Sequence, residues 1–180
     1  MSQRVPPSVW RVLLDLNVFV AYVLGLSKGR TDTAAQFLVQ CVRDGSCALG
    51  PLQLVVSWGM LNRLEVVLMR LGYDPVAAKG FAEAVAELAR LGPFQEFPSV
   101  TLGGMGVVAL KDEEDAHVLG TAVAGQARIL VTANFKDFDA ALLQLVPGLV
   151  GEIKRPDHNL LVAHPKIAAR WFREGNIDFR

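Results

Sequence analysis

Val12-Leu13-Leu14-Asp15-Leu16-Asn17 decides how this 180-residue chain is read. Consecutive apolar residues lead to an abrupt carboxylate and then to a turn-forming amide. An unbroken apolar run is the signature of a strand buried on both faces, as in a parallel sheet. Such a strand has no use for Asp unless it ends there and presents the side chain at its tip. In open parallel α/β sheets, ligands bind outside the carboxyl ends of the strands, so Asp15 is a candidate site residue. Farther along, Lys111-Asp112-Glu113-Glu114-Asp115 and Arg128-Ile129-Leu130-Val131-Thr132-Ala133-Asn134 also set polar groups against apolar elements. Acids that are distant in sequence can converge in such a fold, which points to an acidic, metal-dependent site.

Outward from that segment, the pattern alternates. Residues 11–16 read as a strand and Asn17 to Leu24 as a helix, followed by the polar loop Ser27 to Asp32. A helix over Thr33 to Val42 stops at Gly45, a residue suited to end helices. Leu52 to Val56 is a short strand, and Ser57 is placed to cap the next helix. That helix sets Met60, Leu61, Leu64, Val67, Leu68 and Leu71 on one face. Another starts at Asp74-Pro75 and runs to about Leu91. Pro93 to Gly106 reads as irregular, with Gly103-Gly104-Met105-Gly106 as a turn. Then come a helix from Asp115 to Ala127, a strand at Ile129 to Val131 and a helix from Asp137 to Leu145. Two strands, Leu149 to Ile153 and Leu160 to Ala163, precede a closing helix at Pro165 to Arg173. Strands alternating with helices imply βαβ units around a parallel sheet. One domain over 1–180 is expected, with its core at about 12–172 and a flexible tail at 174–180.

Composition narrows the function. Lys plus Arg equal Asp plus Glu at 18 each, so no global basic footprint marks a tight, non-specific nucleic-acid binder. A small local patch, such as Lys28, Arg30 and Arg63, is compatible with that balance. The chain is 52% hydrophobic, enough to expect a homodimer or a partner covering one face. No apolar run is long enough to span a membrane, and the N-terminus lacks the layout of a secretory signal. Cys41 and Cys47 have no metal-binding spacing and fit a reducing cytoplasm. His117, His158 and His164 show no ligand spacing either and read as surface or packing residues.

The set Leu14-Asp15-Leu16-Asn17-Val18, Leu54-Val55-Val56-Ser57, Asp112-x-x-Asp115-Ala116-His117-Val118-Leu119 and Leu130-Val131-Thr132-x-Asn134 resembles the PIN-domain nucleases. Many of these are toxin halves of bacterial toxin–antitoxin pairs. The similarity runs from about Val12 to Phe172 and takes in Leu160-Leu161-Val162-Ala163-His164-Pro165. It implies a three-layer α/β/α sandwich around a parallel β-sheet, with acids holding Mg²⁺ or Mn²⁺ to cleave single-stranded RNA. Hard divalent cations prefer oxygen ligands, which suits these residue types. By the resemblance, Asp15 and Asp115 are metal ligands, and Asn134 and Asp137 complete the catalytic set. Asn17, Ser57, Arg63 and Thr132 are expected to contact substrate. Each also has a structural reading: Asp15, Asp112, Ser57 and Asp137 as helix caps, Asn17 as a turn residue, Asp115 as a partner of the helix dipole.

The pattern departs from the family in two places. Leu16 stands where a small hydroxyl residue is usual, while Asn134 fits the family's Asp-or-Asn position but adds no charge. Arg63 stands where the family usually has Glu. Glu65 is nearby, but residues 63 and 65 lie about 100° to either side of Leu64, so Glu65 faces the opposite flank. The alternative is therefore a PIN-like module that binds RNA or protein without turnover. A third reading starts from Asp15, since haloacid-dehalogenase-like phosphohydrolases begin similarly, but that chemistry wants Asp at position 17.

Overall fold

The apolar run at the start becomes β1, Trp10–Leu14, in which Val12, Leu13 and Leu14 are wholly buried. Burying each of those side chains contributes roughly 1.5–3 kcal/mol, which anchors the strand at the sheet centre. In this computed structural model, residues 8–90, 92, 100–101, 113–156 and 158–179 are described, with backbone alone at 100, 101, 113–115, 139 and 140. The Gly103–Gly106 turn and Asp112 lie outside the described residues.

After β1 come α1 (Leu16–Ser27), α2 (Ala34–Asp44), β2 (Ser46–Cys47), β3 (Gly50–Leu54), β4 (Val56–Ser57), α3 (Trp58–Arg70) and α4 (Pro75–Arg90). They are followed by β5 (Val100–Thr101), α5 (Glu113–Ala124), β6 (Ile129–Val131) and a 3-10 helix at Phe135–Ala141. The chain closes with β7 (Leu143–Val146), β8 (Val150–Lys154), β9 (Asn159–Ala163) and α6 (Pro165–Glu174).

Seven strands form one sheet in the order β2-β3-β1-β6-β9-β8-β7. Its centre, β3-β1-β6-β9, is parallel, with Val12 paired to both Leu54 and Ile129. The parallel sheet expected from the sequence is thus present at the core, extended by antiparallel β2 on one side and by β8 and β7 on the other. Helices flank it, with α2 packed on α6 and α3 on α4.

Several boundaries differ from expectation. Asp15 ends the strand, and the helix starts at Leu16 because the Asp15 carboxylate caps it. Leu143 to Leu145, expected to finish a helix, instead belong to the edge strand β7; the helical part stops at Ala141 as a 3-10 turn. Val56–Ser57 pairs with Val100–Thr101, a strand inside a stretch read as irregular. Leu71 leaves the apolar face of α3: it is the C-cap and is 48% exposed. Beyond α6 the chain folds back, and Trp171 Nε1 donates to the Asp178 carbonyl at 2.7 Å.

Candidate active site

Two parallel strands end side by side, and their ends build the site. The Asp15 backbone N–H donates to the Val131 carbonyl at 2.9 Å, locking the end of β1 to the end of β6. One residue beyond β6 stands Thr132, wholly buried. Its hydroxyl donates to Asp15 Oδ2 at 2.7 Å and accepts from Asn17 Nδ2 and from the Asn134 backbone N–H, each at 3.0 Å. A hydroxyl has one proton and two lone pairs, so Thr132 is saturated and its proton can only point at Asp15.

Asn17 is equally committed. Its Nδ2 donates to Asp15 Oδ2 at 2.7 Å as well as to Thr132, and its Oδ1 accepts from the Ala133 backbone N–H at 3.0 Å. A carboxylate at position 17 would repel Asp15 and lose both donated bonds. The residue that a dehalogenase-type phosphohydrolase needs there is therefore structurally excluded. Asn134 in turn donates from Nδ2 to Asp137 Oδ2.

Asp15 itself is 7% exposed, with Oδ1 accepting from the Leu16 backbone N–H at 2.6 Å. Burial pushes its carboxyl above the usual carboxylate range, and the nearby Asp137 charge adds to that rise. The three hydrogen bonds oppose the shift and do not cancel it. Asp15 is thus a desolvated carboxylate held in one orientation, in an environment that would favour a cation beside it.

The carboxylate opens onto a cavity of about 400 Å³. Its walls are largely apolar, made by Leu16, Val20, Met60, Val67 and Val118, with Asn17, Arg63, His117 and Asn134 as the other polar groups. Arg63 therefore does face Asp15's cavity from α3. Glu65 lines a separate hollow between α3 and α4, beside Lys79 and Glu83, on the flank that helix geometry assigned to it. It cannot substitute for the missing acid.

His117 is the residue the sequence reading missed. Read from ligand spacing it looked like a packing residue, yet its ring lines the cavity. It lies so close to α3 that a Cβ on Gly59 would sit 2.2 Å from His117 Nε2. Its Nδ1 is buried and, among the described residues, has no hydrogen-bond partner. An enclosed imidazole nitrogen without a partner costs stability, on the order of 1–3 kcal/mol, so an apolar side chain would pack there more cheaply. The only sequence signal was Gly59 itself, a poor helix former in the second position of a helix.

Of the other expected site residues, Asp15, Asn17, Thr132, Asn134 and Asp137 are joined in one hydrogen-bonded chain. Asp137 sits at its outer, exposed end. Ser57 is wholly buried and caps α3, accepting from the Met60 backbone N–H at 3.2 Å. It does not line the cavity around Asp15. Asp115 lies in the first turn of α5, the helix that sends His117 and Val118 to the cavity; its side chain is outside the described residues.

Among the described residues, no group of three or more His, Cys, Asp or Glu side chains could hold a metal ion. What is present suits a hard, hydrated divalent cation. Such ions are commonly held by one or two carboxylates with waters filling the remaining positions. Asp15 supplies a buried carboxylate whose Oδ1 accepts a single hydrogen bond.

A family model described as PIN domain matches residues 11–136. The match spans β1, the α3 helix with Arg63, the α5 helix and Asn134. No curated protein and no solved structure matches the chain. No helix among the described residues is long and apolar enough to cross a membrane.

Proposed function

The chain belongs to the PIN domain family, and from that premise we propose that it is a metal-dependent endoribonuclease cutting single-stranded RNA at Asp15. PIN domains are nuclease-like, and the observation that supports activity here is the buried carboxylate. Its charged form is disfavoured by burial, and it is aimed by three hydrogen bonds into an open cavity. Asp15, joined by Asp115, would hold Mg²⁺ or Mn²⁺; when bound, the ion supplies a water activated for attack on phosphorus. The chain's own residues do the rest. Thr132 and Asn17 keep the carboxylate in a single rotamer, so no side-chain reorganisation accompanies binding. Arg63, which lines the same cavity from α3, would pair with a substrate phosphate, and Asn134 and Asp137 would fix the loop beyond β6.

Arg63 also favours a second reading. A guanidinium in the cavity that holds Asp15 lowers affinity for a cation there, which suits a PIN domain that binds RNA or a protein without cutting it. The two part on one experiment: cleavage of a labelled single-stranded RNA with Mn²⁺ or Mg²⁺, by wild type and by Asp15→Asn. Cutting that requires both the metal and Asp15 supports the nuclease; RNA binding without cutting supports the module.

The finer assignments follow from the nuclease reading. A toxin role with a cognate antitoxin in the cytoplasm predicts growth arrest on expression that Asp15→Asn relieves. Self-association would use the edge strand β7, where Leu143 and Leu145 are 55% and 37% exposed. An exposed apolar edge strand is open to pairing with another chain. A monomer in light scattering at high concentration would refute the homodimer.

A further inference from the structure

A second cavity, of about 370 Å³, lies next to the first and shares Asn17 with it. Its character is different. Lys28, Arg30 and Lys166 line it, with Ala133 and His164, and no carboxylate does. The three cations come from the loop after α1 and from the first turn of α6, far apart in sequence. Among the described residues none of the three is in an ion pair.

The loop that carries two of them is pinned. Gly29 adopts a left-handed φ of 66°, which turns the chain so that the Arg30 N–H donates to the Gly25 carbonyl at 2.9 Å. From the other side, buried Gln36 donates from Nε2 to the Arg30 carbonyl, while its Oε1 accepts from the Thr33 N–H and hydroxyl at 3.0 Å each. At α6, His164 Nδ1 accepts from the Lys166 N–H at 3.3 Å. At each nearby helix start one backbone amide is occupied by a capping side chain, Gln36 N–H by Thr33 in α2 and Lys166 N–H by His164 in α6. The cavity wall is largely apolar, and the charge on it comes from Lys28, Arg30 and Lys166.

We infer that this cavity is a phosphate subsite, in which Lys28, Arg30 and Lys166 hold the backbone of a single RNA strand as it leaves Asp15. The inference rests on the proposed RNA substrate and adds the direction in which the strand runs. Asn17 lines both cavities and Ala133 the basic one, so a strand cut at Asp15 would carry its next phosphates over the basic cavity. A chain without net charge can hold a polyanion only where cations are concentrated, and this is such a place. The expected patch of Lys28, Arg30 and Arg63 is therefore regrouped. Arg63 belongs to the first cavity, and Lys166 takes its place beside the other two.

The test is binding of a fluorescent 12-nucleotide oligouridine, followed by anisotropy across a salt series, without divalent metal. The wild type is compared with Lys28→Gln/Arg30→Gln/Lys166→Gln and with a control triple on α3 and α4 that lines neither cavity, Arg70→Gln/Lys79→Gln/Arg90→Gln. Each phosphate contact on a single strand contributes about 0.7 to the slope of log K against log salt, so the first triple should lower the slope by about 2. Its affinity at low salt should fall about tenfold or more, while the control triple keeps the wild-type slope. An unchanged slope in the first triple, an equal fall in both triples, or no binding by wild type overturns the subsite. Uridine monophosphate binding as tightly as the oligomer would also overturn it, in favour of a free phosphate ligand. Cleavage in Mn²⁺ is scored separately. Binding with the predicted slopes but no cutting refutes the nuclease and keeps the subsite; cutting with flat slopes does the reverse.

Discussion

Two cavities of similar volume meet at Asn17, and the chain builds them by opposite means. Both have largely apolar walls. The first, walled by Leu16, Val20, Met60, Val67 and Val118, holds one buried carboxylate; the second, with Val18, Leu24 and Pro165 among its lining, carries three cations and no carboxylate. In the first, charge is scarce and desolvated, so each charged group matters strongly. In the second, charge is abundant and more exposed, so each group matters less and salt matters more. The difference teaches where chemistry and attachment belong. Bond cleavage needs a carboxylate held in an apolar setting, where electrostatic effects are large. Retention of a long anion needs several weak, solvated contacts. Substitutions in the first cavity should therefore change catalysis, and substitutions in the second should change affinity.

The largest expected effect tests that division. Asp15→Asn should reduce metal-dependent RNA cleavage by about 100-fold or more while altering metal-free RNA affinity by less than about threefold. If affinity falls in step with cleavage, the two cavities do not divide the labour. Arg63→Glu should move the first cavity toward an ordinary acidic site. Adding a carboxylate where a guanidinium stood should tighten Mn²⁺ binding about tenfold in calorimetry, the equivalent of about 1.4 kcal/mol. Weaker Mn²⁺ binding in that variant would mean that Arg63 does not oppose the ion.

Much of the first cavity could be read from sequence, and the reasons are physical. Asp15 announces itself because a buried strand tolerates a carboxylate only at its end. The opposed faces of Arg63 and Glu65 follow from the helical turn about Leu64, and the structure places them in separate hollows. The Thr132 hub was suggested by the family pattern, although its saturated hydroxyl emerges only from geometry. Other features had no local signal. His117 owes its place to Gly59 on a different helix, and Lys166 comes to line the same cavity as Lys28 only once α6 is packed on α2, which in turn packs on α1. Leu143 to Leu145 misled because Leu143-Gln144-Leu145 continues an apolar pattern compatible with a helix. Antiparallel pairing to β8 decides the matter, with Leu143 opposite Glu152. Tertiary pairing overrode local preference there, as it commonly does for short apolar runs.

A middle-sized effect concerns the wall shared by α3 and α5. Gly59→Ala adds a Cβ where His117 Nε2 now sits, so the imidazole must move or the helices must part. Overpacking of this kind costs about 1–3 kcal/mol, which denaturant melts can resolve. Removing the ring in His117→Ala frees the space, so the double variant should be destabilised by less than the sum of the singles. Additive effects in the cycle would show that the ring and the glycine do not meet.

The smallest expected effects come from pH, and they have opposite signs in the two cavities. Burial raises the Asp15 carboxyl above its ordinary 3.8, so between 3.8 and that raised value the folded chain binds more protons than the unfolded one. Stability from this group therefore falls as pH rises through the interval, and the penalty is complete above the folded value. Desolvation, helped by the Lys166 charge, lowers the His164 imidazole below its ordinary 6.5. Here the unfolded chain takes the proton first, so the His164 contribution is complete above 6.5 and is lost as pH falls toward the folded value. His164 also accepts the Lys166 amide as the cap of α6, a role that protonation of Nδ1 abolishes. Metal-free denaturant melts from pH 4 to 8 on wild type, Asp15→Asn and His164→Asn separate the two. Neither Asn titrates, so the stability of Asp15→Asn relative to wild type should rise with increasing pH. That of His164→Asn should rise as pH falls below 6.5. Parallel curves for Asp15→Asn and wild type would mean that the carboxylate is already compensated in the folded chain. The contrast between a cation-seeking, carboxylate-bearing cavity and a basic one would then collapse at its most buried residue.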